Sequence, residues 1–122
     1  MKTIIIVNDN EKYLLSYAKE LLECGVKEIK TFNTIDDALF YMDMNYFRKV
    51  ILFLDLLLFS NDKTILDKLD ELTNHKGEIE IYFMTILIQP INSKLLSSNK
   101  NYKGFVQKPL TVEIVKGLLD KQ

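Results

Sequence analysis

The sequence predicts an α/β fold, in which a doubly wound parallel sheet of five strands carries helices on both faces. Two observations lead to this prediction. Short apolar runs rich in β-branched residues alternate with segments of helical periodicity along the chain. The runs at 3–7 and 50–54 are apolar almost throughout, which is typical of strands buried on both faces. Strands that alternate with helices form a parallel sheet joined by right-handed crossovers.

The strands are predicted from apolar runs that end at polar or turn-forming residues. The first and third runs are the most apolar, and the second is the weakest. The predicted strands lie at 3–7, 28–32, 50–54, 79–85 and 104–106.

The helices are predicted from apolar spacing and from capping residues. Asn10, Thr34 and Thr111 stand where N-caps are expected, and Gly25 stands where the first helix should end. The fourth helix is predicted only from a weak pattern in a polar segment. The predicted helices lie at 11–24, 34–44, 64–73, 92–100 and 111–120.

The first helix is expected to bury one face against the sheet. Its apolar spacing assigns to that face Leu14, Ala18, Leu21 and Leu22. Cys24, near the end of the same helix, is expected to be a small buried hydrophobic residue.

Length and composition predict one soluble, globular, cytoplasmic domain spanning residues 1–122. The chain has 122 residues, of which 48% are hydrophobic and 27% charged, with a net charge of −1. This charge balance argues against a nucleic-acid partner, and no apolar stretch approaches the roughly 20 residues that span a bilayer. The single cysteine excludes an internal disulfide and a cysteine-based metal cluster.

One carboxylate interrupts the most apolar stretch of the chain, "VILFLDLLLF" (50–59). A buried, unpaired aspartate costs several kcal/mol, so Asp55 requires a partner, a metal or access to water. Asp55 follows the third predicted strand, and sheets of this class bind ligands beyond the carboxyl ends of their strands. We therefore expect Asp55 to face a crevice at that edge of the sheet.

Other polar side chains follow the remaining strands and should share this edge. They are Asn8 and Asp9 after the first strand, Thr85 at the end of the fourth, and Lys108 after the fifth. Clustered carboxylates are suited to Mg²⁺, and a lysine ammonium can pair with an aspartate or a phosphoryl oxygen. An aspartate in such a setting could attack phosphorus and form an aspartyl phosphate. We also expect Lys108 and Asp55 to form a direct ion pair.

Four motifs at these strand ends give a family resemblance: "VND" (7–9), "LFLD" (52–55), "MT" (84–85) and "GFVQKP" (104–109). In this order and spacing the chain resembles the receiver domain of two-component response regulators, and most of all the single-domain type. The resemblance covers the whole chain. It implies a flavodoxin-like, doubly wound sheet with strand order 2-1-3-4-5.

The resemblance also implies roles for the residues at the strand ends. Asp55 would accept a phosphoryl group from the phosphohistidine of a sensor histidine kinase or from a phosphotransfer protein. Asp9, Asp55 and the backbone carbonyl of Leu57 would hold Mg²⁺, with a weakened contribution from Asn8. Lys108 would pair with the phosphoryl group. The protein would not be an enzyme with turnover, and slow self-dephosphorylation is the most to expect.

Signalling in the family suggests where a partner would bind. Thr85 would follow the phosphoryl group inward, and Phe105 matches the aromatic residue that swings inward with it. The region 91–121 would then present a surface to a downstream protein. Because the chain stops soon after Pro109 and is slightly acidic, output is expected through protein contacts rather than through DNA.

The chain departs from the family pattern at several positions. Asn8 stands where an acid is usual, Phe59 where a proline is usual, and Lys63 where a glycine is usual. Ile86 follows Thr85 where a small residue is usual, and Leu57 puts a bulky apolar side chain beside the acceptor. Asn8 should weaken Mg²⁺ binding, and Leu57 and Ile86 should crowd the approach to Asp55. We therefore expect phosphorylation and hydrolysis to be slow.

Two alternatives remain open at this point. A pseudo-receiver would keep the fold as an interaction module that does not depend on phosphorylation, and the departures at Asn8, Leu57 and Ile86 favour it. A flavodoxin-like cofactor binder is less favoured. It would need a phosphate-binding loop rich in Gly, Ser or Thr after the first strand, where this chain has "NDNEKY".

Overall fold

The computed structural model describes residues 2–60, 62–86 and 99–120. Its centre is one parallel sheet with the strand order β2-β1-β3-β4-β5, which confirms the predicted order. The strands are β1 (Lys2–Val7), β2 (Ile29–Phe32), β3 (Lys49–Asp55), β4 (Glu78–Thr85) and β5 (Tyr102–Gln107). Because all five strands run parallel, each ends at the same edge of the sheet, where the polar residues that follow the strands meet.

Five helices are described. They are α1 (Glu11–Glu23), α2 (Ile35–Met44), α3 (Leu56–Phe59), α4 (Lys63–His75) and α5 (Val112–Asp120). The predicted N-caps are confirmed for α1, α2 and α5: Asn10, Thr34 and Thr111 each accept a hydrogen bond from a backbone N–H of the first turn. The helix predicted at 92–100 falls almost entirely outside the described residues. None of the described helices is long and apolar enough to cross a membrane.

The short helix α3 was not predicted. Its four residues, "LLLF", continue the apolar run of β3 without a glycine or proline to mark a change of structure. Asp55 caps its start, and Ser60, in the left-handed conformation with φ of 50°, ends it. A short apolar run has the same pattern in a buried strand and in a buried helical turn. The sequence pattern therefore could not separate the two.

The core lies in two layers, one on each face of the sheet. Helices α2, α3 and α4 cover one face, and α1 and α5 cover the other. Neighbouring residues of a strand point to opposite layers, so Ile5 and Leu52 pack in the first layer and Ile6 and Phe53 in the second. Burial of each side chain of this size contributes about 1.5–3 kcal/mol to the stability of the fold. The two layers together therefore fix the position of the sheet edge.

The buried face of α1 differs from the prediction at two residues. Leu14, Tyr17 and Leu21 are buried, whereas Leu22 is 55% exposed. The spacing of three and four residues along a helix places Tyr17 between the two leucines on one stripe. Cys24 is also exposed, because it lies at the C-cap, where the chain turns away from the sheet. The prediction that Leu22 and Cys24 are buried was wrong.

Candidate phosphoacceptor site

The candidate site lies at the carboxyl edge of the sheet. Asp55 is the last residue of β3 and pairs in register with Met84, one residue before the end of β4. Asn8 directly follows β1, and Lys108 directly follows β5. The parallel topology therefore brings together Asn8, Asp55, Thr85 and Lys108, as the sequence predicted.

The Asp55 carboxylate is buried and surrounded by hydrogen-bond donors. Its Oδ2 atom forms an ion pair with Lys108 Nζ and lies 3.5 Å from the side-chain nitrogen of Asn8. Its Oδ1 atom accepts from the backbone N–H groups of Leu57, at 2.8 Å, and Leu58, at 3.4 Å. These partners explain how an ionised group is tolerated in the most apolar stretch of the chain. The predicted ion pair between Lys108 and Asp55 is confirmed.

Lys108 reaches Asp55 from a strand that is not its neighbour. Strand β4 lies between β3 and β5, so the lysine side chain must cross the end of β4. The backbone N–H of Lys108 donates to the carbonyl of Thr85 at 2.8 Å, which fixes the start of this loop against β4. The peptide bond to Pro109 is cis, and Leu110 is buried just beyond it. The loop is thus held against β4 at Lys108 and in the core at Leu110. The lysine side chain is long enough to cover the remaining distance to Asp55.

Asn8 and Asp9 follow β1 but differ in their surroundings. Asn8 is 2% exposed, and its side-chain oxygen accepts from the backbone N–H of Asn10 at 2.8 Å. The asparagine therefore links the loop before α1 to the carboxylate of Asp55. Asp9 is exposed at the surface of the same edge.

The carboxylate and carbonyl oxygen atoms at this edge are the type of ligand that a hard cation such as Mg²⁺ prefers. Asp9 and Asp55 supply two carboxylates, and within the described residues no group of three or more His, Cys, Asp or Glu side chains could hold a metal. The carbonyl of Leu57 accepts from the Ser60 hydroxyl at 2.7 Å. The two carboxylates match the predicted ion in chemistry, and both Asp55 oxygens and the Leu57 carbonyl already accept from protein donors.

Leu57 and Ile86 border the site on the outside. The two side chains are 78% and 64% exposed. Leu57 lies two residues after Asp55, and Ile86 directly follows Thr85 at the end of β4. Two exposed, bulky apolar side chains therefore lie at the same edge of the sheet as the buried Asp55 carboxylate. Their effect on access to Asp55 stays a prediction.

The two residues predicted to act as a switch lie on β4 and β5. Thr85 is half-buried at the end of β4. Phe105 is half-buried on β5, where its ring lies 6.1 Å from that of Phe83 and 5.6 Å from that of Tyr102. Phe105 is thus packed inward, in the layer that contains α2, α3 and α4. Of the predicted partner region 91–121, the structure describes residues 99–120.

Sequence reasoning missed two features of the site: the helical turn α3 and the ring of Phe59. Phe59 is fully buried, and its ring lies 4.8 Å from that of Phe83. A signal was present in the sequence, because an aspartate is a favoured N-cap. No helical spacing of apolar and polar residues followed it, because all four residues of the turn are apolar.

Comparison with known proteins tests the predicted fold. No protein-family model matches the chain, and no curated protein matches it. A response regulator receiver protein from Dyadobacter fermentans DSM 18053 has a similar structure, with a TM-score of 0.77 and 19% identity over 99% of this chain and 97% of that one. The fold is that of a response regulator receiver domain.

Two further receiver structures give the same result. A CheY-like receiver domain protein from Methanospirillum hungatei JF-1 has a TM-score of 0.72 and 23% identity, covering 99% of this chain and 95% of that one. A response regulator from Burkholderia pseudomallei, with a phosphorylated aspartic acid, calcium ion and citrate, has a TM-score of 0.72 and 20% identity. The match covers 96% of this chain and 65% of that one. The predicted receiver fold is therefore confirmed.

Proposed function

We propose that this receiver-fold chain is a phosphorylation-controlled signalling module. Asp55 would accept a phosphoryl group from the phosphohistidine of a sensor histidine kinase or of a phosphotransfer protein. The observation that carries this proposal is the buried Asp55 carboxylate paired with Lys108 at the ligand-binding edge of the sheet. One protein of similar fold carries a phosphorylated aspartic acid, which supports the proposal by analogy.

The proposed step is a transfer of phosphorus between two nucleophiles. A carboxylate oxygen of Asp55 attacks the phosphorus, an O–P bond forms, and the N–P bond of the phosphohistidine breaks. The leaving imidazole nitrogen takes up a proton. Lys108 already lies against Asp55 and can follow the charge onto the new phosphoryl group.

Mg²⁺ would be held by the carboxylates of Asp9 and Asp55. When bound, it would neutralise negative charge on the phosphoryl oxygens. Asn8 removes one negative charge that an acid would place there. A unit charge at close range contributes on the order of 1–4 kcal/mol at effective dielectric constants of roughly 80 to 20, so the affinity for the cation should be modest.

The output would be a protein contact. The proposed partner surface lies within 91–121, and the part described includes Phe105 and α5. We propose no turnover chemistry beyond slow self-dephosphorylation of Asp55. A cytoplasmic location, without a nucleic-acid or membrane partner, agrees with the net charge of −1.

A pseudo-receiver is the second candidate, and one observation favours it. Both Asp55 oxygens already accept from protein donors, and Asn8 supplies one of these donors where an acid would repel the carboxylate. A carboxylate satisfied in this way can serve as a structural anchor for the sheet edge.

The deciding experiment is incubation with acetyl phosphate and Mg²⁺, followed by intact-mass measurement. The proposal expects wild-type protein to gain one phosphoryl group and the Asp55→Asn variant to gain none. Asp62→Asn is a matched control, because Asp62 is the N-cap of another helix, α4, and asparagine caps equally well. If wild type is never modified, even after long incubation, the pseudo-receiver replaces this proposal.

A further inference from the structure

Asp55 ends strand β3, and it also has a second structural role. It is the N-cap of α3, and its Oδ1 atom accepts the backbone N–H of Leu57 at 2.8 Å. Its other oxygen, Oδ2, pairs with Lys108. The two oxygens are therefore divided between the chain that follows Asp55 and the loop after β5.

The turn that Asp55 caps is closed at its other end by Ser60. The Ser60 backbone N–H donates to the carbonyl of Leu56 at 3.2 Å, and the Ser60 hydroxyl donates to the carbonyl of Leu57 at 2.7 Å. A helix of four residues gains little from its own backbone hydrogen bonds. Its geometry therefore depends on its two ends and on the side chains that it buries.

The side chain that anchors α3 is Phe59. It is fully buried, and its ring packs against Phe83 at 4.8 Å. Phe83 lies 6.1 Å from Phe105 and 6.0 Å from Tyr102. We call these four rings the aromatic row. It runs without interruption from α3, across β4, to β5.

We propose that Phe59 is a positioning residue that couples the Asp55 carboxylate to the aromatic row. One turn of helix separates the cap at Asp55 from the ring at Phe59, so a change in the cap hydrogen bonds moves the ring, and displacement of the ring turns the carboxylate. The rings are neighbours, with centroids 4.8 to 6.1 Å apart, and close-packed interiors transmit such a movement from one side chain to the next.

The coupling gives Phe105 a second connection to the acceptor. The resemblance suggested a route through Thr85, at the end of β4. The aromatic row reaches Phe105 by a different path, through α3 and Phe83. In its consequence for signalling this inference rests on the proposed function, whereas the coupling itself is a property of the unmodified protein.

The test compares two neutral substitutions of Asp55, only one of which keeps a capping oxygen. Asp55→Asn and Asp55→Ala both remove the negative charge and the ion pair with Lys108. Asparagine keeps an oxygen that caps a helix about as well as aspartate, whereas alanine does not. The readout is the ¹⁹F NMR spectrum of protein labelled with 4-fluorophenylalanine at its seven Phe positions, assigned by single Phe→Leu substitutions.

We expect Asp55→Ala to shift the resonances of Phe59, Phe83 and Phe105, and Asp55→Asn to shift them much less. Phe47 is buried just before the amino end of β3, far from Asp55, and Phe40 is 67% exposed on α2, so both are internal controls. Equal shifts in the two variants, or no shift at Phe105 in either, would overturn the inference. Should Asp55→Ala not fold, Ser60→Ala opens the other end of the turn. It must then shift the same three resonances.

A second experiment tests the opposite direction of the coupling. Phe59→Leu should slow phosphoryl gain from acetyl phosphate by about tenfold, because a small misplacement of the carboxylate is costly to a transfer step. Phe47→Leu is the matched control, because Phe47 is a buried ring of the same core layer at the other end of β3, and it should leave the rate unchanged. Equal rates in both variants contradict the positioning role. If wild type gains no phosphoryl group, the proposed function fails, and the NMR comparison still decides the coupling.

Discussion

Two buried acidic side chains lie in the central strands of the sheet, and each is paired with a lysine. Asp55 is 2% exposed at the carboxyl end of β3, and Glu80 is 9% exposed near the amino end of β4. Glu80 lies 3.4 Å from Lys49, which is also 3.8 Å from Glu78. Judged by burial and charge alone, the two ion pairs are alike.

Their surroundings differ. Asp55 ends its strand, caps the next turn and shares an edge with Asp9 and Asn8. Glu80 sits within its strand between Ile79 and Ile81, both of which are buried. Ligands approach a parallel sheet beyond the carboxyl ends of its strands. Burial of a charge beside a lysine therefore does not identify a site in this protein, and the position along the strand does.

The largest expected effect comes from breaking the pair at Asp55. Lys108→Met should lower the free energy of unfolding by about 3 kcal/mol, because a buried carboxylate loses its charged partner. It should also abolish phosphoryl gain from acetyl phosphate. Urea unfolding and intact mass measure the two effects. A change in stability below about 0.5 kcal/mol, the range of ordinary surface substitutions, would show that the pair contributes little.

The matching substitution at the other pair should affect stability only. Lys49→Met should cost about 1–2 kcal/mol, less than Lys108→Met, since this pair is longer and Glu78 and Glu80 share one lysine. The rate of phosphoryl gain should equal that of wild type. A rate as low as that of Lys108→Met would remove the distinction between the two pairs.

The next prediction adds a charge to the site. Asn8→Asp places a third carboxylate against Asp55 and should destabilise the protein by about 1 kcal/mol in EDTA, and raise its Mg²⁺ affinity about tenfold. Thermal unfolding during a Mg²⁺ titration measures both quantities. Asn10→Asp is the control, because it adds an exposed charge nearby while keeping a good N-cap for α1.

Ile86→Ala tests the effect of side-chain size at the same site, apart from the effect of charge. It should raise the phosphorylation rate without changing Mg²⁺ affinity, whereas Asn8→Asp should raise both. If neither substitution changes either quantity, then the two departures from the family pattern do not limit the chemistry.

The smallest expected effect is on stability at alkaline pH, and it arises at Tyr82, near Glu80 of the Lys49–Glu80 pair. Burial, and next the nearby charge of Glu80, raise the pKa of Tyr82 above 10.0. In the folded state Tyr82 therefore keeps its proton to higher pH than in the unfolded state. This contribution to stability is complete below pH 10 and is lost as the pH rises through the folded-state pKa. Tyr82→Phe should flatten the fall in stability between about pH 9 and 11 in urea unfolding. Tyr46→Phe, at an 88% exposed position, should not.

Most of the fold followed from local patterns. Alternating apolar strands and capped helices predicted the layers, and every predicted strand is present within one or two residues of its predicted bounds. The polar residues of the site followed as well, because a parallel sheet brings the carboxyl ends of its strands to one edge. Asn8, Asp55, Thr85 and Lys108 could therefore be named from the sequence.

The tertiary structure decided the features that depend on distant contacts or on ambiguous patterns. The turn α3 lies in an apolar run whose periodicity does not separate strand from helix, so its end contacts at Asp55 and Ser60 and the packing of Phe59 against Phe83 determined it. On α1, the packed stripe selected Tyr17 over Leu22. The sequence alone determined which polar groups reach the edge, because that depends on where each strand ends. Which donor satisfies each oxygen of Asp55 depends on residues up to 53 positions away, and only the folded chain brings them together.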